Sequence, residues 1–249
     1  MKKIVLGLVL LGITQLSAYS ASYKLANEAK KRGDYKSAIR YTLEQLDEDL
    51  NSYGENAKEI IISYGQLGYF YEKLGKYDKA LEYYFKALKI EEKLLPTNGP
   101  TKATTYYNIG SVCQKQKKYK EALENYEKSL KMQKIVYGKK DTFLSKTYNS
   151  MGSVYRKQKK YEEALDVYEK ALKIREDALG KEHLSCAEIC NNIGLVYYKQ
   201  GKKEKAIQEL NKVLKIKEKS LGKEDPSTKS TQKNIDYLKK DMATKADKL

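Results

Sequence analysis

An all-α solenoid of stacked helix pairs is the fold this sequence predicts, and three observations predict it. Gly68, Gly110, Gly152 and Gly194 stand 42 residues apart, and Ala38, Ala80, Ala122, Ala164 and Ala206 keep the same register. A fixed period in this range marks stacked units, each of which buries its apolar face only against its neighbours. Within one period the apolar residues recur at spacings of three and four, which is helical. The three prolines all fall at repeat junctions, so none interrupts a helix.

The elements follow in chain order. Residues 1–20 are set apart: Lys2 and Lys3 precede an apolar run from Ile4 to Leu16, followed by the small residues Ser17, Ala18, Ser20 and Ala21. That order of charge, apolar run and small residues is the pattern of a cleaved export signal. The run is short for a membrane span and is interrupted by Gly7, Gly12 and Thr14. Export to a bacterial periplasm is the expectation, with an uncleaved anchor as the alternative. Five copies of the repeat then cover about 19–60, 61–102, 103–144, 145–186 and 187–230. A partial sixth runs to about Lys240, with Asp236 in the glycine slot. Residues 241–249 are expected to be a flexible tail.

One copy shows how each element is encoded. Tyr106, Ile109, Gly110 and Cys113 form a first helical stripe, helix A. A polar break at Gln116–Lys118 leads into Tyr119, Ala122, Leu123, Tyr126, Leu130 and Ile135, the longer stripe of helix B. Tyr137–Gly138–Lys139–Lys140–Asp141 closes the unit, glycine being a common helix stop. Asp141, His183 and Asp225 share the N-cap slot of the next helix A, and Pro100 and Pro226 share a slot in its first turn.

The run Tyr148, Met151, Gly152, Tyr155, Ala164, Tyr168 and Ala171 resembles the tetratricopeptide repeat. The usual unit is 34 residues, and the extra eight are expected in a longer helix B and a longer loop. The segments NNIGLVYYKQGKKEKAI and LGKEHLSCAE are similar to the 42-residue repeats of kinesin light chains. The resemblance covers about residues 19–240. It implies a right-handed superhelix whose A helices line a concave groove that binds extended peptides. No motor-binding coiled coil precedes the repeats, so microtubule transport is not implied.

Subtracting the repeat isolates candidate binding residues. Thirteen of the 23 tyrosines fall in four recurring packing slots. Tyr69, Tyr107 and Tyr198 do not, and they are expected on the exposed side of helix A. One slot that packing does not demand reads Gln66, Asn108, Ser150, Asn192 and Asn234, and the slot before it holds Tyr107, Asn149 and Asn191. A side-chain amide both donates and accepts, so a row of amides suits a peptide backbone of any sequence. Asparagine is also a poor helix former and an uneconomical filler. Another slot is lysine in all five full copies: Lys31, Lys73, Lys115, Lys157 and Lys199. A cation near a helix C-terminus is favourable by about 0.3–1 kcal/mol. A lysine ladder in a groove would also favour an acidic peptide, and Arg156 adds a forked donor for a carboxylate.

Charge and cysteines bound the rest. The formal net charge is +16, and losing Lys2 and Lys3 with the leader leaves +14. Residues 21–60 carry seven basic and eight acidic side chains, against fifteen and eight over 199–249. That asymmetry suggests an anionic partner or electrostatic contact with an anionic envelope surface. Cys113 and Cys190 occupy tyrosine slots and read as core. Cys186 and Cys190 are close on one helix, but their spacing suits a disulfide poorly, and buried thiols are expected.

No phosphate loop, nucleophile elbow or metal-ligand cluster is present, and the single histidine is a cap. The expectation is therefore a non-enzymatic scaffold with no cofactor and no specific nucleic acid, holding an acidic segment of a protein partner. A non-protein polyanion such as acidic glycan, anionic lipid or nucleic acid is the second reading.

Overall fold

A computed structural model describes residues 21–94, 99–138 and 141–246. The expected leader, Pro96, Lys139, Lys140 and residues 247–249 lie outside the described residues. Eleven helices and no strand occur among them. The first, α1, spans 21–31. The A helices continue as α3 (Lys58–Lys73), α5 (Pro100–Lys115), α7 (Thr142–Lys157) and α9 (Leu184–Lys199). The B helices are α2 (Tyr35–Tyr53), α4 (Tyr77–Leu94), α6 (Tyr119–Val136), α8 (Tyr161–Leu179) and α10 (Lys203–Leu221), and α11 (Pro226–Ala246) follows. Four A helices have 16 residues each and the B helices 18 or 19, so helix B is the longer.

The helices group into two compact units that divide between Lys118 and Tyr119. Unit 1 holds α1–α5 and unit 2 holds α6–α11, and within each, consecutive helices pack in pairs. The alanine slot is fully buried in all five copies, because only a methyl group fits where helix B crosses its neighbours. Tyr84, Tyr126 and Tyr168 are likewise buried to within two per cent. The other ten slot tyrosines are buried or half-buried.

The glycine that defines the period has a specific task. A Cβ at Gly68 would lie 2.6 Å from the Tyr84 ring, and one at Gly152 2.6 Å from Tyr168. Glycine is therefore what allows a tyrosine of helix B to lie flat on helix A.

Ends and turns follow from local chemistry. Asp141 accepts from the Phe143 amide at 2.7 Å, and His183 Nδ1 from the Ser185 amide at 3.2 Å. Asp225 accepts from the amides of Ser227 and Thr228. The turn from helix A to helix B needs a left-handed residue, supplied by Gly33, Gly75 and Gly201 but by Lys117 and Lys159 in the middle copies. Lysine there works against the steric preference of a side chain.

Helix α11 has one apolar and one polar face. Its Ile235 and Leu238 are buried against Ala206 and Leu210 of α10. The positions that would receive another helix B are instead Gln232, Asp236 and Lys239, all exposed, with Gln232 Nε2 donating to Asp236 at 2.8 Å. A polar outer face is what a terminal repeat requires. The helix carries on past Lys240 to Ala246, beyond where the sequence suggested a tail.

Candidate functional site

In unit 1 the candidate residues lie on α3 and α5. Glu72 gathers three partners: Lys115 Nζ at 2.8 Å, Ser111 Oγ at 3.1 Å and Tyr84 Oη at 3.3 Å. Its side chain is 9% exposed, so the Lys115 ammonium is held by a largely buried carboxylate. Burial, with the adjacent negative charge of Glu72, pushes the Tyr84 phenol well above its usual range. Lys73 is exposed and stands 5.2 Å over the Tyr69 ring, which Lys30 also covers at 5.1 Å.

Tyr69 is less free than the sequence suggested. It is half-buried, edge-on to Tyr35 at 6.4 Å and against Phe70 at 5.6 Å. Its slot sits over the start of the preceding helix B, where aromatic packing is available. Tyr107, Asn108 and Gln66 are half-buried too, and the Gln66 Oε1 atom is buried without a hydrogen-bond partner.

In unit 2 the amides partly satisfy one another. Asn192 Nδ2 donates to Asn149 Oδ1 at 2.9 Å, and Asn149 Nδ2 donates to Glu188 at 3.3 Å. Arg156 is half-buried beside the Tyr168 hydroxyl: burial raises that phenol and the guanidinium opposes the rise. Lys157 and Lys199 are exposed, Lys199 lying 5.9 Å over the Tyr198 ring. Lys31 is exposed as well, so all five ladder lysines reach solvent.

Three candidates meet around one cleft. Asn191, Tyr198 and Asn234 line a space of about 340 Å³ together with Gly194, Leu195, Leu210, Tyr237 and Leu238. Its floor is apolar. Tyr198 is 39% and Tyr237 64% exposed at its rim, and Asn191 and Asn234 are also exposed.

Two features escaped the sequence reading. The first is the cleft, whose signal was present as Leu210 in the tyrosine slot. The second is a polar slot on helix B: Asp49, Glu91, Gln133, Arg175 and Lys217 are 42 residues apart, the first three buried and the last two half-buried. Four face a hydroxyl on the next helix A: Asp49 to Ser63 (3.2 Å), Glu91 to Thr105 (3.1 Å), Gln133 to Thr147 (2.9 Å) and Lys217 to Thr231 (3.0 Å). Ile189 takes the hydroxyl's place opposite Arg175, which turns to Ser145 at 3.2 Å. Changing chemistry from copy to copy hid this slot from a search for identity.

The cysteines are free and buried. Burial raises both thiols of α9, Cys190 to about 12. Among the described residues no group of three or more His, Cys, Asp or Glu side chains could hold a metal ion. No described helix is long and apolar enough to cross a membrane.

Comparison with known proteins agrees with this architecture. No curated protein matches the chain in sequence. BtubC (BKLC) from P. vanneervenii superposes with a TM-score of 0.72 at 21% identity, covering 82% of this chain and 89% of that one. TPR-like repeats described as those of a kinesin light chain from P. anserina superpose at 0.70 and 18% identity, over 81% and 96%. The apo form of RapI gives 0.71 at 20% identity, over 89% and 83%. At these identities the likeness is one of fold. The tetratricopeptide repeat family matches in sequence over residues 59–135 and 143–219. With more than half of its length matched and its helices paired in the same way, the chain belongs to the tetratricopeptide repeat family.

Proposed function

We propose that this chain is an exported, non-enzymatic scaffold whose A helices hold an extended, acidic segment of a partner protein. Repeat proteins of this family serve as platforms for protein partners, and the finer reading is carried by one observation. Every full repeat places an exposed lysine at the last turn of helix A. A recurring exposed cation is suited to successive carboxylates on an extended chain. Exposed or half-buried amides lie on the same helices to meet the backbone between them. Export rests on the leader-like order of residues 1–20, with the periplasm as destination.

The test is fluorescence anisotropy with a labelled Glu/Asp-rich decapeptide at low and high salt. Wild-type protein should bind, more weakly as salt rises. A Lys73→Ala, Lys157→Ala, Lys199→Ala triple variant should lose about tenfold or more in affinity. Unchanged affinity in the triple variant would overturn the ladder. N-terminal sequencing of protein expressed with its leader should find a start near Ala21; an intact Met1 would overturn cleavage.

A further inference from the structure

We propose that the turn between α7 and α8, together with the start of α6, is a binding site for a phosphate group. The site lies within unit 2 and uses none of the residues assigned above to the binding of a partner segment.

The junctions before and after it show what usually fills this place. Gln116 Nε2 donates to Asp78 at 2.8 Å, and Gln200 Nε2 donates to Glu162 at 2.8 Å. Each glutamine reaches back 38 positions, to the second residue of the preceding helix B. Lys202 Nζ joins Glu162 at 3.7 Å. One carboxylate therefore serves an amide and an ammonium of the next turn. At the junction between these two, Gln158 and Lys160 keep the donor slots, but the acceptor slot holds Lys120. The donors have stayed, and the acceptor has become a cation.

A further cation comes from the corner of the turn. Gly33, Gly75 and Gly201 hold that left-handed corner elsewhere, whereas Lys159 holds it here at φ 62°. A side chain there works against its steric preference, so a charge stands where glycine would be the easier residue. Lys117 does the same one repeat earlier, where Gln116 still has Asp78 opposite. Lys120, Lys159 and Lys160 are exposed, and Gln158 is half-buried. None of the four side chains has a hydrogen-bond or ion-pair partner among the described residues. Glu162, nearby on α8, is taken by Gln200 and Lys202, and the exposed Glu121 and Glu163 pair with none of these lysines.

A single carboxylate suffices where one lysine and one amide meet it. Three lysines and an amide call for a group with about two negative charges and several acceptor oxygens, which a phosphate supplies. Like charges alone do not make the site. Lys36 and Lys76 stand in the same two slots at the first junction, but Leu74 replaces the glutamine and Gly75 holds the corner.

The probe is inorganic phosphate, titrated into the full chain at constant ionic strength against chloride and followed by calorimetry and thermal unfolding. Wild type should bind saturably and melt higher in phosphate than in chloride. Lys120→Glu puts back the carboxylate found at Glu162 and should weaken binding about tenfold or more. Lys159→Gly removes the corner cation and should weaken it about threefold or more. Lys36→Glu makes the same change of net charge at the first junction and should leave binding unchanged. All three positions are exposed, and circular dichroism checks each fold. Co-sedimentation with phosphatidylcholine vesicles, with and without phosphatidic acid, identifies the source of the phosphate. Retention on phosphatidic acid that Lys120→Glu loses makes it a lipid headgroup, and phosphate binding without retention makes it a soluble phosphate; either supports the site. A phosphate effect no larger than that of chloride, full affinity in Lys120→Glu, or an equal loss in Lys36→Glu overturns it. No variant touches the ladder lysines of the triple variant, so this site and the scaffold reading fail separately.

Discussion

Gly152 and Gly194 share a slot and a helical backbone, yet alanine should act differently at the two. In a helix interior alanine is favoured over glycine by about 1 kcal/mol. At Gly194 the opposition is weaker: the nearest neighbours, the Glu209 Cβ and the Ala206 carbonyl oxygen of α10, stand at 3.3 and 3.4 Å, so a methyl group there is tight and must displace them by a few tenths of an ångström. At Gly152 the new methyl meets the Tyr168 ring at 2.6 Å, and that ring is fully buried. Overpacking of this kind costs about 1–3 kcal/mol or more. Gly152→Ala should therefore lower stability by about 1–3 kcal/mol, and Gly194→Ala, where helix propensity and a tight contact offset each other, should change it by less than about 1 kcal/mol. Urea unfolding of the two variants checks the contrast. Equal losses would mean that Gly194 also packs under a ring. The period alone could not distinguish these glycines, since what differs is the residue sixteen positions later, tyrosine at 168 and leucine at 210.

At the scale of elements, spacing was legible and surface partnership was not. The helix pairs, the caps at Asp141, His183 and Asp225, and the longer helix B could be read from periodicity and cap chemistry, because these are set by neighbours in sequence. The pairing of Asn192 with Asn149 depends on a neighbouring repeat, and so does the packing of Tyr69 on Tyr35. Only the folded arrangement brings those residues within reach. The same holds for α11, whose polar outer face was visible as Asp236 but whose inner face needs α10 beside it. Deleting Pro226–Ala246 would expose Leu210 and Ala206 and remove the buried Ile235 and Leu238. Burial of two such aliphatic side chains is worth about 3–6 kcal/mol. The truncated chain should lose about 3 kcal/mol or more and bind a hydrophobic dye, as measured by urea titration and dye fluorescence. Unchanged unfolding would show that α11 is dispensable as a cap.

Over the whole molecule, the helix B polar slot gives the two units different responses to acid. Burial raises the carboxyls of Asp49 and Glu91 above the usual carboxylate range, and hydrogen bonds from Ser63 and Thr105 only partly oppose this. Around Glu91, Thr101 and Lys102 favour its charge and Glu92 opposes it. A carboxyl whose folded pKa is raised binds its proton more readily in the folded state. Its contribution to stability is therefore gained as pH falls through the folded value towards the unfolded one. Exposed pairs such as Glu82–Lys86 work the other way but contribute little. Glu91→Gln installs the residue that the next copy carries as Gln133. It should stabilise unit 1 at neutral pH by about 1–3 kcal/mol, with the advantage shrinking as the wild-type carboxyl protonates. Thermal unfolding from pH 7 to pH 4 measures it; a constant advantage would rule out titration of Glu91 as the cause.

The hydroxyl opposite that slot has a consequence of its own. A serine or threonine donates to an anion and accepts from a cation without moving a helix. In chain order the slot runs from two acids through an amide to two bases, and the hydroxyl serves the first three and the last. Each such junction is thus a sign-neutral fitting. The group facing this hydroxyl can therefore differ in charge from repeat to repeat while the hydrogen bond between the helices is kept, as Glu91 and the half-buried Lys217 do, so the copies diverge at their seams as well as at their surfaces.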